Sequence, residues 1–212
     1  ELAYGMPFFE WLKENKEDAD FLNEANSIKS KDINNNIVDT YDFSTVNKII
    51  DIGGGKGLLL CEILKKNPNA KGIIAELSSV ALDTNVEIKN AGMQNRCKAI
   101  ECDFFKKVPS GADVYILSNI LHDWPDKECK IILKNCHNAI RSKSKLLVVE
   151  MIIPMQDKFS ISKLLDMEML VITGGVERTE EEFRQLLNFS GFIISQIIPV
   201  KEDIFIIETI KR

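Results

Sequence analysis

The stretch from Lys48 to Leu64 restricts the fold of this chain more than any other. An apolar run, Ile49-Ile50-Asp51-Ile52, carries an acid near its end and passes into the glycine cluster Gly53-Gly54-Gly55-Lys56-Gly57. The cluster opens onto the helical pattern Leu58-Leu59-Leu60-Cys61-Glu62-Ile63-Leu64. That order reads as strand, tight loop and helix, the first half of a βαβ unit. Glycines let a backbone approach a ligand closely, and a helix N-terminus adds free N–H groups. A dinucleotide fits poorly, because G-x-G-x-x-G counted from Gly53 needs glycine at 58, where Leu58 stands. Asp51 would repel a pyrophosphate but suits a ligand that brings an ammonium group. A tight turn without any ligand is the other reading of the same residues.

The rest of the chain continues the alternation. Apolar runs at 47–52, 72–76, 97–102, 113–119 and 145–151 predict strands, with helices near 56–66, 79–91 and 126–141. Runs such as Leu146-Leu147-Val148-Val149 are continuous rather than alternating, as in a parallel sheet buried on both faces. Asn67-Pro68-Asn69, Ala91-Gly92 and Pro109-Ser110-Gly111 fall between elements. Helices follow at 159–173 and 179–189, the second closed by Ser190-Gly191. Strands at 192–199 and 203–209 are joined by too short a link for anything but an antiparallel pair. The expected fold class is α/β, a doubly wound, seven-stranded, mostly parallel sheet with an antiparallel terminal hairpin. Residues 1–45 read as a helical segment packed on a domain spanning 46–212, with Ile33 and Ile37-Val38 opening a separate helix. The cluster Met6, Phe8, Phe9, Trp11 and Leu12 either packs on that domain or helps cover a cleft.

With 212 residues the chain suits one domain with a sizeable core. A net charge of −5 and no basic block argue against nucleic acid as its main partner. No apolar run is long enough to span a membrane and no signal peptide opens the chain, so a cytoplasmic protein is expected. Five cysteines without a C-x-x-C pair read as reduced and buried. Position 1 is glutamate, consistent with a fragment or a processed chain.

The spacing D-x-G-x-G-x-G from Asp51 to Gly57 resembles motif I of the class I S-adenosylmethionine (SAM) methyltransferases, whose ligand has an amino-acid end and a sulfonium. In a doubly wound sheet, ligands bind beyond the carboxyl ends of the strands. Glu76 ends the second strand and could accept from ribose hydroxyls, or simply lie solvated near a helix start. Asp103 and Phe104 follow the third strand, where the acid could accept from an adenine amino group and the ring pack on the base. The same pair is common where a strand enters a turn. His122 follows the fourth strand. Histidine suits removal of a hydroxyl proton, a role worth ~10²–10⁴ in rate, although Asp123 and Pro125 also look like a plain helix start. His137, in mid-helix, reads as structural.

The stretch Leu121-His122-Asp123-Trp124, with Gly174-Gly175-Val176-Glu177-Arg178-Thr179, is similar to the caffeic acid and hydroxyindole O-methyltransferase family, which includes bacterial tailoring enzymes. The likeness runs from Ala3-Tyr4-Gly5-Met6-Pro7-Phe8 to the last strand. It implies SAM as methyl donor, S-adenosylhomocysteine as product and His122 as general base. Glu177 would flank the base, a second glutamate on the last strand maps onto Glu208, and Trp124 would lie near the adenine. Asn119 stands in the segment where plant members often carry lysine, and is a candidate cofactor contact. A carboxylate beside His122 would hold one ring nitrogen as N–H, but Glu177 also sits where a helix start attracts acids. Glu208 interrupts an apolar run, so it either has a buried partner or faces water at an edge. The family is homodimeric through an N-terminal winged-helix-like domain that this chain is expected to lack.

The resemblance therefore implies SN2-like methyl transfer to a hydroxyl, expected to be phenolic, on a small aromatic molecule, with no metal. Helix 159–173 would form an acceptor wall through Met167 and Met169, residues that would equally serve as plain core. Transfer to nitrogen, carbon or a non-phenolic hydroxyl, and a non-catalytic SAM-binding domain, stay open.

Overall fold

The computed structural model describes residues 5–6, 8–156 and 159–212. Two helices, α1 (Phe8–Glu14) and α2 (Lys16–Thr40), precede an alternation of β1 (Lys48–Ile52), α3 (Leu58–Lys66), β2 (Lys71–Glu76), α4 (Ser78–Asn90), β3 (Cys97–Glu101) and β4 (Val114–Ser118). A 3₁₀ turn (Leu121–Asp123) leads to α5 (Asp126–Ala139) and β5 (Lys145–Ile153). The chain ends with α6 (Ile161–Ile172), β6 (Arg178–Thr179), α7 (Glu180–Phe189), β7 (Phe192–Lys201) and β8 (Ile204–Lys211). Every expected strand and helix from residue 47 onward is present, with ends shifted by a residue or two.

The strands lie in the order β3-β2-β1-β4-β5-β8-β7. β1 to β5 pair in parallel, while β8 runs antiparallel to both β5 and β7. Alternate side chains of one strand enter two separate cores. Ile50, Tyr115, Leu117, Leu146 and Val148 meet α5 and α7 through Cys129, Ile132, Leu133, Phe183 and Leu187. Ile49, Val114, Ile116, Leu147 and Val149 meet α2, α3 and α4 on the other face. Burial on both faces is why these strands read as unbroken apolar runs. The winding direction reverses between β1 and β4, so the loops after these two strands are neighbours at the carboxyl edge of the sheet.

Three expectations are corrected. Lys16–Thr40 is one continuous helix rather than two, since no glycine or proline interrupts it. Its end, with Ile37, Val38, Tyr41 and Phe43, belongs to the core beside α3. A two-residue strand, β6, was not foreseen; it pairs in parallel with the end of β5, Ile152 opposite Arg178. Glu208 does not approach the histidine turn. It pairs with Leu147, three residues before Glu150 on β5, and shares the α2 face with Ile206. There its carboxylate accepts from Tyr41 Oη at 2.6 Å, Lys145 Nζ at 2.7 Å and Ser195 Oγ at 2.6 Å. Ala3, Tyr4 and Pro7, where the family likeness begins, and the side chain of Phe9 lie outside the described residues. Among the described residues no helix is long and apolar enough to cross a membrane.

Burial alone would raise the Glu208 carboxyl, but its bonds to Lys145, Ser195 and Tyr41 win and hold it at about 2, below the ordinary 4.5. A depressed folded-state pKa gives stability that is present above 4.5 and lost as pH falls toward 2. Glu208→Ala is expected to lower unfolding stability by about 2 kcal/mol at pH 7 in urea titration, with a smaller difference from the parent at pH 3.

Candidate active site

The glycine loop leaves β1 with Gly53, Gly55 and Gly57 all at positive φ, 70°, 53° and 75°, a region costly for other residues. The loop folds over Asp51: a side-chain carbon at Gly54 would come within 2.5 Å of its carboxylate. From α4, Thr84 Oγ1 donates to Gly55 O at 2.7 Å and fixes the far side of the loop. Asp51 is buried, and its Oδ1 has no hydrogen-bond partner. Burial first, and then the nearby Glu76 carboxylate, raise the Asp51 carboxyl to about 7. Glu76, at the end of β2, is likewise pushed to about 7 by burial. Burial disfavours the charged form of both carboxylates, a pattern typical of groups that bind a cation or hydroxyl donors.

On the neighbouring strand ends, Phe104, Phe105 and Trp124 form an aromatic row. Ring centroids are 5.0 Å apart for the first pair and 4.8 Å, edge to face, for the second. Phe104 also reaches the Gly53 side of the loop. Asp103 has local work: Oδ1 accepts from Phe105 N at 3.0 Å and Oδ2 pairs with Lys106 at 2.9 Å. Asn119 is exposed and sits at φ 52°, a strained conformation right after β4 that is tied by its N–H to Val149 O.

The turn after β4 is gripped from both ends. Glu150, fully buried in the second half of β5, accepts from Ile120 N at 2.9 Å and Leu121 N at 2.7 Å. Arg178, 2% exposed, donates to Leu121 O, Trp124 O and Val176 O and pairs with Asp126. Between these grips, His122 Nδ1 lies 2.9 Å from Glu177 Oε1 and 3.6 Å from Glu150 Oε2. Nε2 points away from both, its nearest acid being Asp123 at 3.8 Å, beyond hydrogen-bond reach. Burial opposes the imidazolium, but Glu150, Glu177 and Asp123 outweigh it and raise His122 to about 10. In turn burial raises Glu150 to about 7 and Asp123 to about 6.

Donor atoms of His122, Glu150 and Glu177 lie within 4.8 Å of one another, close enough for a cation. Their hydrogen bonds describe another use, because Nδ1 is taken by Glu177 and Glu150 Oε1 by two backbone N–H groups. Such a set fixes an imidazole and stabilises it when protonated.

The O-methyltransferase domain family matches residues 1–193. The chain belongs to this family. It is 39% identical over 208 residues to phenazine O-methyltransferase PhzM of Lysobacter antibioticus, covering 98% of this chain and 61% of the relative. The crystal structure of mitomycin 7-O-methyltransferase superposes with a TM-score of 0.96 at 31% identity, over 100% of this chain and 62% of that one. An O-methyltransferase from neocarzinostatin biosynthesis, solved with SAM and 2-hydroxy-5-methyl naphthoic acid, gives 0.91 at 26% identity, over 100% and 63%. The chain thus spans about three fifths of the length of these relatives.

In this family member the structure brings Asp51, the glycines and Glu76 to one cleft edge and His122 with Glu177 to the adjoining turn. Sequence reasoning missed Glu150, although the rule that pointed to the ends of the other parallel strands applies equally to Leu146-Leu147-Val148-Val149-Glu150. It also passed over Thr84, Arg178 and Gly175. Thr179, foreseen as a helix start, caps α7 through a reciprocal bond with Glu182, and Glu177 lies upstream of that cap. Gly175 leaves no room for any side chain: a carbon there would stand 1.9 Å from His122 O. Gly175→Ala is therefore expected to cost about 1–3 kcal/mol in urea unfolding and to displace the turn, seen as a changed imidazole NMR signal of His122.

Proposed function

We propose that the chain is the catalytic part of a SAM-dependent methyltransferase acting on a hydroxyl of a small aromatic molecule, with His122 as general base. The observation that carries this reading is the hold of Glu177 on Nδ1, which leaves Nε2 as the free proton acceptor. SAM would supply a methyl group on a sulfonium cation and leave as S-adenosylhomocysteine. Asp51 and Glu76 fit that donor, since an unpaired buried carboxylate suits its ammonium and a second suits ribose hydroxyls. Phe104 and Trp124 would flank the adenine, with Asp103 and Asn119 at the rim of the same cleft.

His122 would take the acceptor's proton at Nε2 as the oxygen attacks, and the C–S bonding pair would pass to sulfur. Glu177 would keep Nδ1 as N–H, and Glu150 would stabilise the imidazolium that forms. The acids around His122 favour its imidazolium form, and a cation held in the same cleft would oppose that shift and favour the neutral ring that can act as base. Alignment of the reacting atoms would supply much of the acceleration, ~7–11 kcal/mol in favourable intramolecular cases. The apolar residues exposed on α6, Leu164, Met167 and Leu170, are in keeping with a flat apolar acceptor. So are the phenazine, mitomycin and naphthoic acid in the names of relatives and their ligands.

His122→Ala is expected to cut methyl transfer to a panel of phenols and hydroxynaphthoic acids by ~10²–10⁴, with SAM affinity within a few-fold of the parent by calorimetry. Retained turnover would sink the base assignment. A second test reads Asp51, Glu76 and His122 together. Burial or neighbouring acids raise the pKa of all three, so a cation entering the cleft would lower these values and displace protons. SAM titration at pH 7 in two buffers of different ionisation enthalpy should report net proton release. Binding with no proton release would place the ammonium elsewhere.

A further inference from the structure

Helix α6 is held in an unusual way. Within it only Ser162 is buried, while Leu164, Met167, Leu170 and Val171 are half or more exposed. Its position is set largely by polar ties. At the N-terminus Asp203, in the β7–β8 turn, accepts from Ser160 Oγ and from Ser162 N. At the C-terminus Met169 O accepts from Thr173 N and Gly174 N, both at 3.0 Å, and from there Val176 N reaches His122 O at 2.8 Å. The third tie is in the middle, where Asp166 Oδ1 accepts from the backbone N–H of Glu177 at 2.9 Å.

That third tie reaches the base assembly. Aspartate is a poor helix-interior residue, favoured where its carboxylate can serve a backbone outside the helix. Here it serves the residue whose carboxylate holds His122. Glu177 is 2% exposed and makes one side-chain hydrogen bond, to Nδ1, so its direction is fixed from its backbone. We propose that Asp166 is a positioning residue for the general base: it sets Glu177 against His122 and thereby makes the protonation of His122 depend on where α6 lies. The proposal rests, for its catalytic consequence, on His122 being the base; the tie between Asp166 and the imidazole does not.

The charged groups facing the imidazole are Glu150 from β5, Glu177 from the segment before β6 and Asp123 from its own turn, with Arg178 beneath the turn. Loss of the Asp166 bond would free Glu177 to swing from Nδ1 and remove one of the interactions that favour the imidazolium. The decisive measurement is an NMR titration of the His122 ring in a His137→Gln background, which leaves one histidine of the two. Asp166→Ala should lower the His122 pKa by about one unit or more. Asp166→Asn, which removes the charge but keeps an oxygen acceptor, should restore it. Should Asp166→Ala not fold, Asp166→Glu, which keeps the charge and displaces the oxygen, should also lower it.

An unchanged titration in folded Asp166→Ala or Asp166→Glu overturns the proposal, as does Asp166→Asn behaving like the alanine variant. Where a phenol from the panel is turned over, Asp166→Ala should reduce kcat about tenfold with KM for SAM unchanged. If His122→Ala retains turnover while Asp166→Ala still shifts the ring titration, the base assignment fails and the positioning role stands.

Discussion

The buried carboxylate of Glu150 is the constraint around which the rest of the site is arranged. A charge taken wholly out of water costs several kcal/mol unless it finds partners. Glu150 finds them in the N–H groups of Ile120 and Leu121 and in the His122 ring. Those partners are what turn the chain sharply after β4, at the strained Asn119, and point the histidine over the carboxyl edge of the sheet. Arg178 closes the same turn from below by binding the carbonyls of Leu121 and Trp124. One buried carboxyl and one buried guanidinium thus hold the two ends of a few residues.

Across the switch point, the glycine-loop side is built on the opposite principle. Asp51 is buried with one oxygen unpaired, beside Glu76, and burial raises both carboxyls to about 7. An acid raised in the folded state contributes stability below its ordinary pKa that is lost as pH climbs through 7. The sheet tolerates this because β1 lies between β2 and β4 with Ile49, Ile50 and Ile52 fully buried on both faces.

Much of this was legible in the chain. Continuous apolar runs announced strands covered on both faces, and the spacing from Asp51 to Gly57 announced a loop that only glycines can form. His122 and Glu177 were placed by motif and lie 2.9 Å apart. Glu208 was misplaced for a physical reason: its strand gave its position but not its register. Register and pleat put it on the α2 face with Tyr41 and Lys145, on the other side of the sheet from Glu150. Glu150 and Asp166 were not singled out, because their partners lie in other segments of the chain.

The sequence by itself determined the element order, the parallel sheet with its antiparallel tail and the glycine loop. Each depends on local pattern, glycine freedom or the length of a link. Tertiary structure alone decided which acid meets His122, which residue bonds the backbone of that acid, and why Gly175 tolerates no substituent. These depend on pairing register and on contacts between residues far apart in the chain, and no local pattern encodes them. The glycine loop was readable because its chemistry lies within a few consecutive residues. The histidine cluster was only half readable because the turn after β4, β5, α6 and the segment before β6 each supply one part of it.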